Sequence, residues 1–266
     1  GESPGHPARR RNAGPGMSTG NTTEDTLLGG AVRLLQPTDG YRAAIDPVLL
    51  AASVPAKAGD KILELGSGSG AASLCLATRV PDTYILGLEL QVDLAKLANE
   101  SAQLNDLGDH AIFMAGDLLN PPPVINNGGF DHVIANPPYQ PADHGHPSPD
   151  AAKAMANVEG AARLSDWLDA CIRLVRDNGT VTMIHRADRL DEILSYIYDR
   201  LGGIVVCPLW PRTGEAAKRV IVHGKKGTAT PLTMHPGLVL HENGGYTAAT
   251  KKVLDGAALD LLQTAL

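Results

Sequence analysis

Residues 61–77 constrain the fold of this chain more than any other stretch. Lys61-Ile62-Leu63-Glu64-Leu65 has the length and character of a buried strand, Gly66-Ser67-Gly68-Ser69-Gly70 follows at once, and Ala71-Ala72-Ser73-Leu74-Cys75-Leu76-Ala77 reads as a helix. Glycine at every second position lets the backbone turn sharply and lets a ligand approach it. The first turn of the following helix presents N–H groups without intrahelical partners. A strand that feeds a helix through such a turn belongs in a mostly parallel α/β sheet, with ligands at the carboxyl edge of its strands.

The spacing and the neighbouring charges narrow the ligand. The turn is Gly-x-Gly-x-Gly, whereas a dinucleotide fingerprint is Gly-x-Gly-x-x-Gly, and Glu64 places a carboxylate where a pyrophosphate would otherwise lie. An acid there suits a cation, such as the ammonium and sulfonium of S-adenosyl-L-methionine. The next strand, Thr83-Tyr84-Ile85-Leu86-Gly87-Leu88, ends in Glu89. That is about twenty residues beyond the glycines, where an acid reaches ribose hydroxyls. A third strand, Ala111-Ile112-Phe113-Met114, leads to Gly116-Asp117, and Asp117 is placed to accept from an adenine amino group.

A fourth strand, Asp131 followed by the apolar Val133-Ile134-Ala135, runs into Asn136-Pro137-Pro138-Tyr139. Two prolines end the strand and stiffen the loop, since neither has an N–H for a sheet ladder. On such a loop the Asn136 side-chain oxygen and the Pro137 carbonyl offer two acceptors to one planar NH2 group, with the Tyr139 ring beside them. An exocyclic amine or amide nitrogen is a poor nucleophile because its lone pair is conjugated. Holding both hydrogens localises that lone pair toward an approaching methyl group. Asn136, Pro137 and Tyr139 are therefore the candidate catalytic residues, and the pattern suits N-methylation.

The rest of the chain continues the alternation. Residues 165–176 carry Trp167, Leu168, Cys171, Ile172 and Val175 at helical spacing, with Ser165 as front cap and Asn178-Gly179 as rear cap; Trp167 is thereby a core residue. A strand over 180–185, a helix over 189–201 and two apolar runs over 204–209 and 219–223 follow. With 266 residues, 43% of them hydrophobic, the chain can bury one sizeable core. No apolar run approaches ~18 residues, so no membrane span is expected, and the first sixteen residues lack a secretory hydrophobic stretch. Residues 1–16, with Arg9-Arg10-Arg11, read as a disordered leader or a non-native remnant, and 17–266 as a single domain. Cys75, Cys171 and Cys207 lie far apart without metal spacing, as small core residues in a reducing cytoplasm would. The polar segment 140–163 reads as a substrate lid. Its Asp143, His144 and His146 are neighbours on a loop, where side chains seldom all face one ion, and amine methylation needs none, so no metal is expected.

These motifs carry a resemblance. Residues from about 34 to 222 resemble a class I S-adenosylmethionine-dependent methyltransferase of the amino-methylating NPPY group. Upstream, Gln36-Pro37-Thr38-Asp39-Gly40-Tyr41-Arg42 and Ile45-Asp46-Pro47-Val48-Leu49-Leu50-Ala51 look like the segment before the glycine loop in bacterial tRNA adenine N6-methyltransferase-like proteins, which modify the adenine beside the anticodon of a valine tRNA. Ile184-His185-Arg186-Ala187-Asp188-Arg189-Leu190 and the tail around Leu240-His241-Glu242 and Tyr246-Thr247 are similar to proteobacterial members. The resemblance implies a seven-stranded, mostly parallel Rossmann-like sheet with an antiparallel terminal hairpin. It implies that Glu64 and the turn at Gly66, Gly68 and Gly70 hold the methionine part of the cofactor, Glu89 the ribose and Asp117 the adenine. Asn136, bordering the cofactor, and Pro137 would grip the substrate amine while Tyr139 stacks on its base, with Asp46, Tyr41, Arg186, Arg189 and Arg219 as further substrate-binding candidates.

Charge bears on the partner. The net charge is −6, with an acidic excess confined to residues 1–150, whereas a tRNA-binding protein shows a basic footprint. The footprint must be local, with Arg186, Arg189, Arg212, Lys218, Arg219, Lys225 and Lys226 as its candidates, and Lys251 and Lys252 further on. The leading expectation is methylation of the adenine N6 amine in a tRNA, with the base turned out of its stack. A release-factor-type protein glutamine N5-methyltransferase is the alternative, because a glutamine amide presents the same planar NH2; a non-catalytic cofactor-binding module is the third reading.

Overall fold

The structure, a computed structural model, describes residues 22–38, 43–139 and 162–262. The leader at 1–16, Tyr41, most of the segment read as a lid, and Asp143, His144 and His146 lie outside the described residues. An antiparallel hairpin, β1 (Thr22–Leu27) and β2 (Val32–Pro37), stands apart from the main sheet. Helix α1 (Asp46–Ser53) follows, with Pro47 in its first turn, where no backbone donor is needed. Strand and helix then alternate: β3 (Lys61–Leu65), α2 (Ala71–Arg79), β4 (Tyr84–Glu89), α3 (Val92–Leu104), β5 (Ala111–Ala115), α4 (Pro123–Asn126) and β6 (Phe130–Ala135). They continue as α5 (Leu164–Leu174), β7 (Val175–Arg186), α6 (Leu190–Ile197), β8 (Leu201–Trp210) and β9 (Arg219–Lys226). Four two-residue strands, β10 (Thr233–Met234), β11 (Leu238–Val239), β12 (His241–Glu242) and β13 (Gly245–Tyr246), precede α7 (Ala248–Leu254).

The main sheet runs in the order β10-β8-β9-β7-β6-β3-β4-β5, with β11 also on β8. The strands from β7 across to β5 are mutually parallel, and β9 runs antiparallel between β7 and β8. Among the described residues, β3 to β9 form a mostly parallel sheet consistent with the expected class, and β10 and β11 extend it at the β8 edge.

Strands covered on both faces need side chains that are apolar throughout, and β3 shows how the alternation is used. Ile62 joins the cluster under α1, α2 and α3, which includes Leu49, Leu74 and Ala98. Leu63 and Leu65 join the opposite cluster under α5 and α6, with Trp167, Leu168 and Ile193. Trp167 is buried as expected, and all three cysteines are free and buried.

Two helix signals proved to be something else. Ser165 is a helical residue of α5, and the first-turn bond is instead the Arg163 N–H donating to the Asp166 carboxylate at 2.7 Å. Helix α5 ends at Leu174, so Asn178-Gly179 does not cap it but lies inside β7. There Asn178 takes φ 63°, and the pairing with β6 jumps from Phe130 with Val175 to His132 with Thr180. An Asn-Gly pair supplies a left-handed residue to a bulge as readily as to a helix end, and local sequence does not distinguish the two.

Candidate active site

The glycine turn is pinned to the end of β4. The Gly66 and Ser67 N–H groups both donate to the Leu88 carbonyl, at 2.7 and 3.1 Å, and the Gly68 N–H donates to the Glu89 carboxylate at 2.7 Å. Gly66, Gly68 and Gly70 all take positive φ, at 68°, 54° and 89°, where a Cβ is strained. Their surroundings differ. A Cβ on Gly66 would lie 2.4 Å from the Trp167 ring, and one on Gly70 2.9 Å from the Phe113 ring, whereas one on Gly68 meets nothing within 4 Å. Gly66 and Gly70 therefore let the turn pack on its own protein, and Gly68 is the open apex.

Two acids lie under this turn. Glu64 shares the Ile62 face of β3 and is 3% exposed; its carboxylate accepts from the Ser73 backbone N–H at 3.1 Å and from the Ser73 hydroxyl. Burial pushes its pKa up to about 8, against the opposing Ser73 hydrogen bonds and with a contribution from the Glu89 charge. Glu89, also buried, accepts from Gly68 N and from Gln91 N at 2.9 Å; burial raises its pKa while those backbone donors hold it down. Both acids suit a cationic or hydroxyl-bearing ligand, and the open apex at Gly68 leaves room for one, so the site fits S-adenosylmethionine. Asp117 is exposed beyond β5, its carboxylate accepting from Leu119 N at 2.9 Å in a tight turn. It stands at the rim of the same edge.

The Asn-Pro-Pro-Tyr loop leaves β6 beside the glycines, because Ala135 pairs with Leu65 and the next residues along the two strands are Asn136 and Gly66. Pro137 is buried, and Asn136 and Tyr139 are half-buried. The Tyr139 hydroxyl lies 2.7 Å from Asp46 Oδ2 and 3.2 Å from Asn136 Oδ1. Arg219 donates its Nε–H to the same Asp46 oxygen at 3.0 Å, and its guanidinium sits 4.5 Å from the centre of the Tyr139 ring. The structure thus joins Asp46, Asn136, Tyr139 and Arg219 in one cluster, and one face of Tyr139 already carries a cation.

His185 was not among the expected site residues. It ends the apolar run of β7 and meets Tyr139 edge to face, with ring centres 5.2 Å apart at 82°. It is 2% exposed, its Nδ1 has no hydrogen-bond partner among the described residues, and burial followed by the Arg189 charge pushes its pKa down to about 4. The available signal was a polar side chain closing a buried strand at the carboxyl edge. A cavity of about 260 Å³ opens here, lined among others by Pro137, Pro138, Trp167, His185, Arg189 and Glu192.

The basic footprint divides. Arg186 pairs with Asp188 at 2.9 Å, Arg189 with Glu192 at 2.8 Å and Arg212 with Glu215 at 3.4 Å, so much of the positive charge near the site is already matched. Since β9 is antiparallel, Arg219 stands opposite Arg186 at the site, while Lys225 stands opposite Thr180. Six strand residues separate those levels by about 20 Å. Lys225 and Lys226 therefore belong to the far edge, where Lys226 donates to the Ile172 and Val175 carbonyls. Among the described residues no cluster of His, Cys, Asp or Glu could hold a metal ion, and no helix is long and apolar enough to cross a membrane.

Comparison with known proteins agrees with this geometry. The methyltransferase small domain family matches residues 44–164. The tRNA1(Val) (adenine(37)-N6)-methyltransferase of Aeromonas hydrophila is 31% identical over 189 residues, covering 70% of this chain and 77% of that protein. Its counterpart in Aeromonas salmonicida is 30% identical over 207 residues, covering 77% and 84%. Among solved structures, a predicted O-methyltransferase from Agrobacterium tumefaciens has a TM-score of 0.66 at 26% identity and covers 81% of this chain and 98% of its own. The chain belongs to the class I S-adenosylmethionine-dependent methyltransferases, in the family that the two Aeromonas proteins represent, and S-adenosylmethionine is its cofactor.

Proposed function

We propose that the protein, acting in the cytoplasm as one methyltransferase domain over 17–266, methylates the exocyclic N6 amine of an adenine in a tRNA. The observation that carries the reading is the register that sets Asn136 beside Gly66, so an amine-gripping loop and the cofactor turn share one edge. When bound, S-adenosylmethionine supplies the electrophilic methyl group. Glu64 and the open backbone at Gly68 would hold its methionine part, the remaining lone pairs of Glu89 would accept from its ribose, and Asp117 at the rim would accept from its adenine. The Asn136 carboxamide and the Pro137 carbonyl accept the two N6 hydrogens of the target base, turning the nitrogen lone pair toward the methyl carbon. Tyr139 would stack on the base. The names of the Aeromonas relatives support adenine in a tRNA as the substrate.

A protein glutamine amide is the second reading. It is favoured by one observation, that Arg186, Arg189 and Arg219 all carry carboxylate partners in a chain of net charge −6, which weakens the attraction for a polyanion. The deciding experiment supplies labelled S-adenosylmethionine with separate pools of tRNA, ribosomal RNA, DNA and release factor. Label in tRNA as N6-methyladenine is the expected result. Label in release factor alone overturns the RNA reading.

A further inference from the structure

We infer that Asp46 is a positioning residue that sets the orientation of the Asn136 carboxamide through the Tyr139 hydroxyl. This deepens the function proposed above and rests on Asn136 as the acceptor for the substrate amine.

The argument is an accounting of protons. A tyrosine hydroxyl has one proton to donate and two lone pairs with which to accept. Asp46 Oδ2, an acceptor only, lies 2.7 Å away and takes that proton in a charge-assisted bond. The structure sets Asn136 Oδ1 against the same hydroxyl at 3.2 Å. With its oxygen toward Tyr139, two acceptors contend for one proton. With its NH2 toward Tyr139, every group has a partner, since the amide donates to a hydroxyl lone pair. The two ends of a carboxamide are alike in size, so hydrogen bonding decides between these orientations. The second orientation also turns Asn136 Oδ1 away from Tyr139 and frees it to accept from a substrate amine.

Arg219 makes the arrangement stiff. It donates to the Asp46 oxygen that accepts from Tyr139 and lies over the same ring, so the tyrosine is held at its hydroxyl and on one face. Without the Asp46 carboxylate, the hydroxyl proton becomes available to Asn136 Oδ1. The amide then turns its NH2 to the substrate, and donor meets donor.

The test compares Asp46→Ala, Asp46→Asn, Tyr139→Phe and the double variant Asp46→Ala/Tyr139→Phe. In assigned nitrogen–proton spectra of the cofactor-free protein, the Asn136 side-chain NH2 should exchange slowly with solvent in the wild type and in Asp46→Asn, whose carbonyl still accepts from Tyr139. It should exchange at least about tenfold faster in Asp46→Ala and Tyr139→Phe. On the substrate that takes up label, Asp46→Ala should lower kcat about tenfold or more with affinity for S-adenosylmethionine retained, and Asp46→Asn should restore much of it. Asp46→Ala should cost little more once Tyr139 is Phe, whereas an Asp46 that merely anchors Arg219 would give additive losses. Unchanged NH2 exchange in Asp46→Ala, or additive losses, overturns the inference. Because the exchange measurement needs no substrate, a protein that leaves tRNA unlabelled refutes the proposed function while the positioning role is still decided.

Discussion

Replacing Glu64 by Gln should stabilise the cofactor-free protein, by an amount that grows with pH. The Glu64 carboxyl is raised from an ordinary 4.5 to about 8, chiefly by burial. An unfolded chain releases this proton near 4.5, while the folded one holds it until about 8, so Glu64 favours folding fully below 4.5 and loses that contribution as pH rises through 8. At about 1.4 kcal/mol per pH unit across that interval, the loss reaches the order of 5 kcal/mol by pH 8. Gln is neutral throughout and keeps an oxygen for the Ser73 donors, so the difference between variant and wild type isolates this one group. Urea unfolding at pH 4.5, 6, 7 and 8 reads it, provided both proteins keep the same dependence on urea. The free-energy difference should be small at pH 4.5 and climb steadily to pH 8. A pH-independent difference would refute the reasoning, and so would a wild type that is the more stable at pH 8. The same proton should leave when the cationic cofactor binds: calorimetry near pH 7 in buffers of different ionisation enthalpy should show close to one proton released by the wild type and none by Glu64→Gln.

Three further outcomes follow from the site. Gly66→Ala should lower the melting temperature, because its Cβ would meet Trp167, whereas Gly68→Val, facing open space, should mainly abolish cofactor binding in calorimetry; comparable cofactor affinity in Gly68→Val and wild type would remove the apex from the binding site. Asn136→Ala should cut turnover roughly a hundredfold or more while cofactor affinity stays within a few-fold, and near-normal turnover would deny its acceptor role. If the substrate is tRNA, Arg186→Ala with Arg189→Ala should raise the RNA KM and flatten its salt dependence, and a salt-independent wild-type KM would point away from RNA.

What was legible in the sequence was local. The glycine turn, the acids ending successive strands and the Asn-Pro-Pro-Tyr loop are each contiguous, and strand alternation was enough to bring them to one edge. What was not legible depends on distant partners. Asp46 and Arg219 were separate candidates, and only the fold, across 173 residues, makes them one ion pair beside Tyr139. The three glycines look alike in sequence, yet Trp167 and Phe113 claim two of them for packing. Lys225 and Lys226 extend a basic run in the sequence, but the direction of β9 carries them to the far edge. The β1–β2 hairpin escaped notice because β1 is polar at every position but Leu27, so it offers no apolar alternation to read.

The place of β9 bears on how the molecule is made. Strand β8 bonds to β9 and not to β7, so nothing in the sheet holds β8, or the β10 and β11 segments paired to it, until β9 has threaded between them. Arg219 rides in on that strand. A nascent chain on the ribosome can form the parallel half, with its glycine turn and its Asn-Pro-Pro-Tyr loop, well before residue 219 has been synthesised. The Arg219 contact with Tyr139 requires that later strand, whereas the Asp46 contact does not. Completion of the candidate site therefore requires completion of the sheet, and a chain that stops short of β9 lacks the cation over its tyrosine.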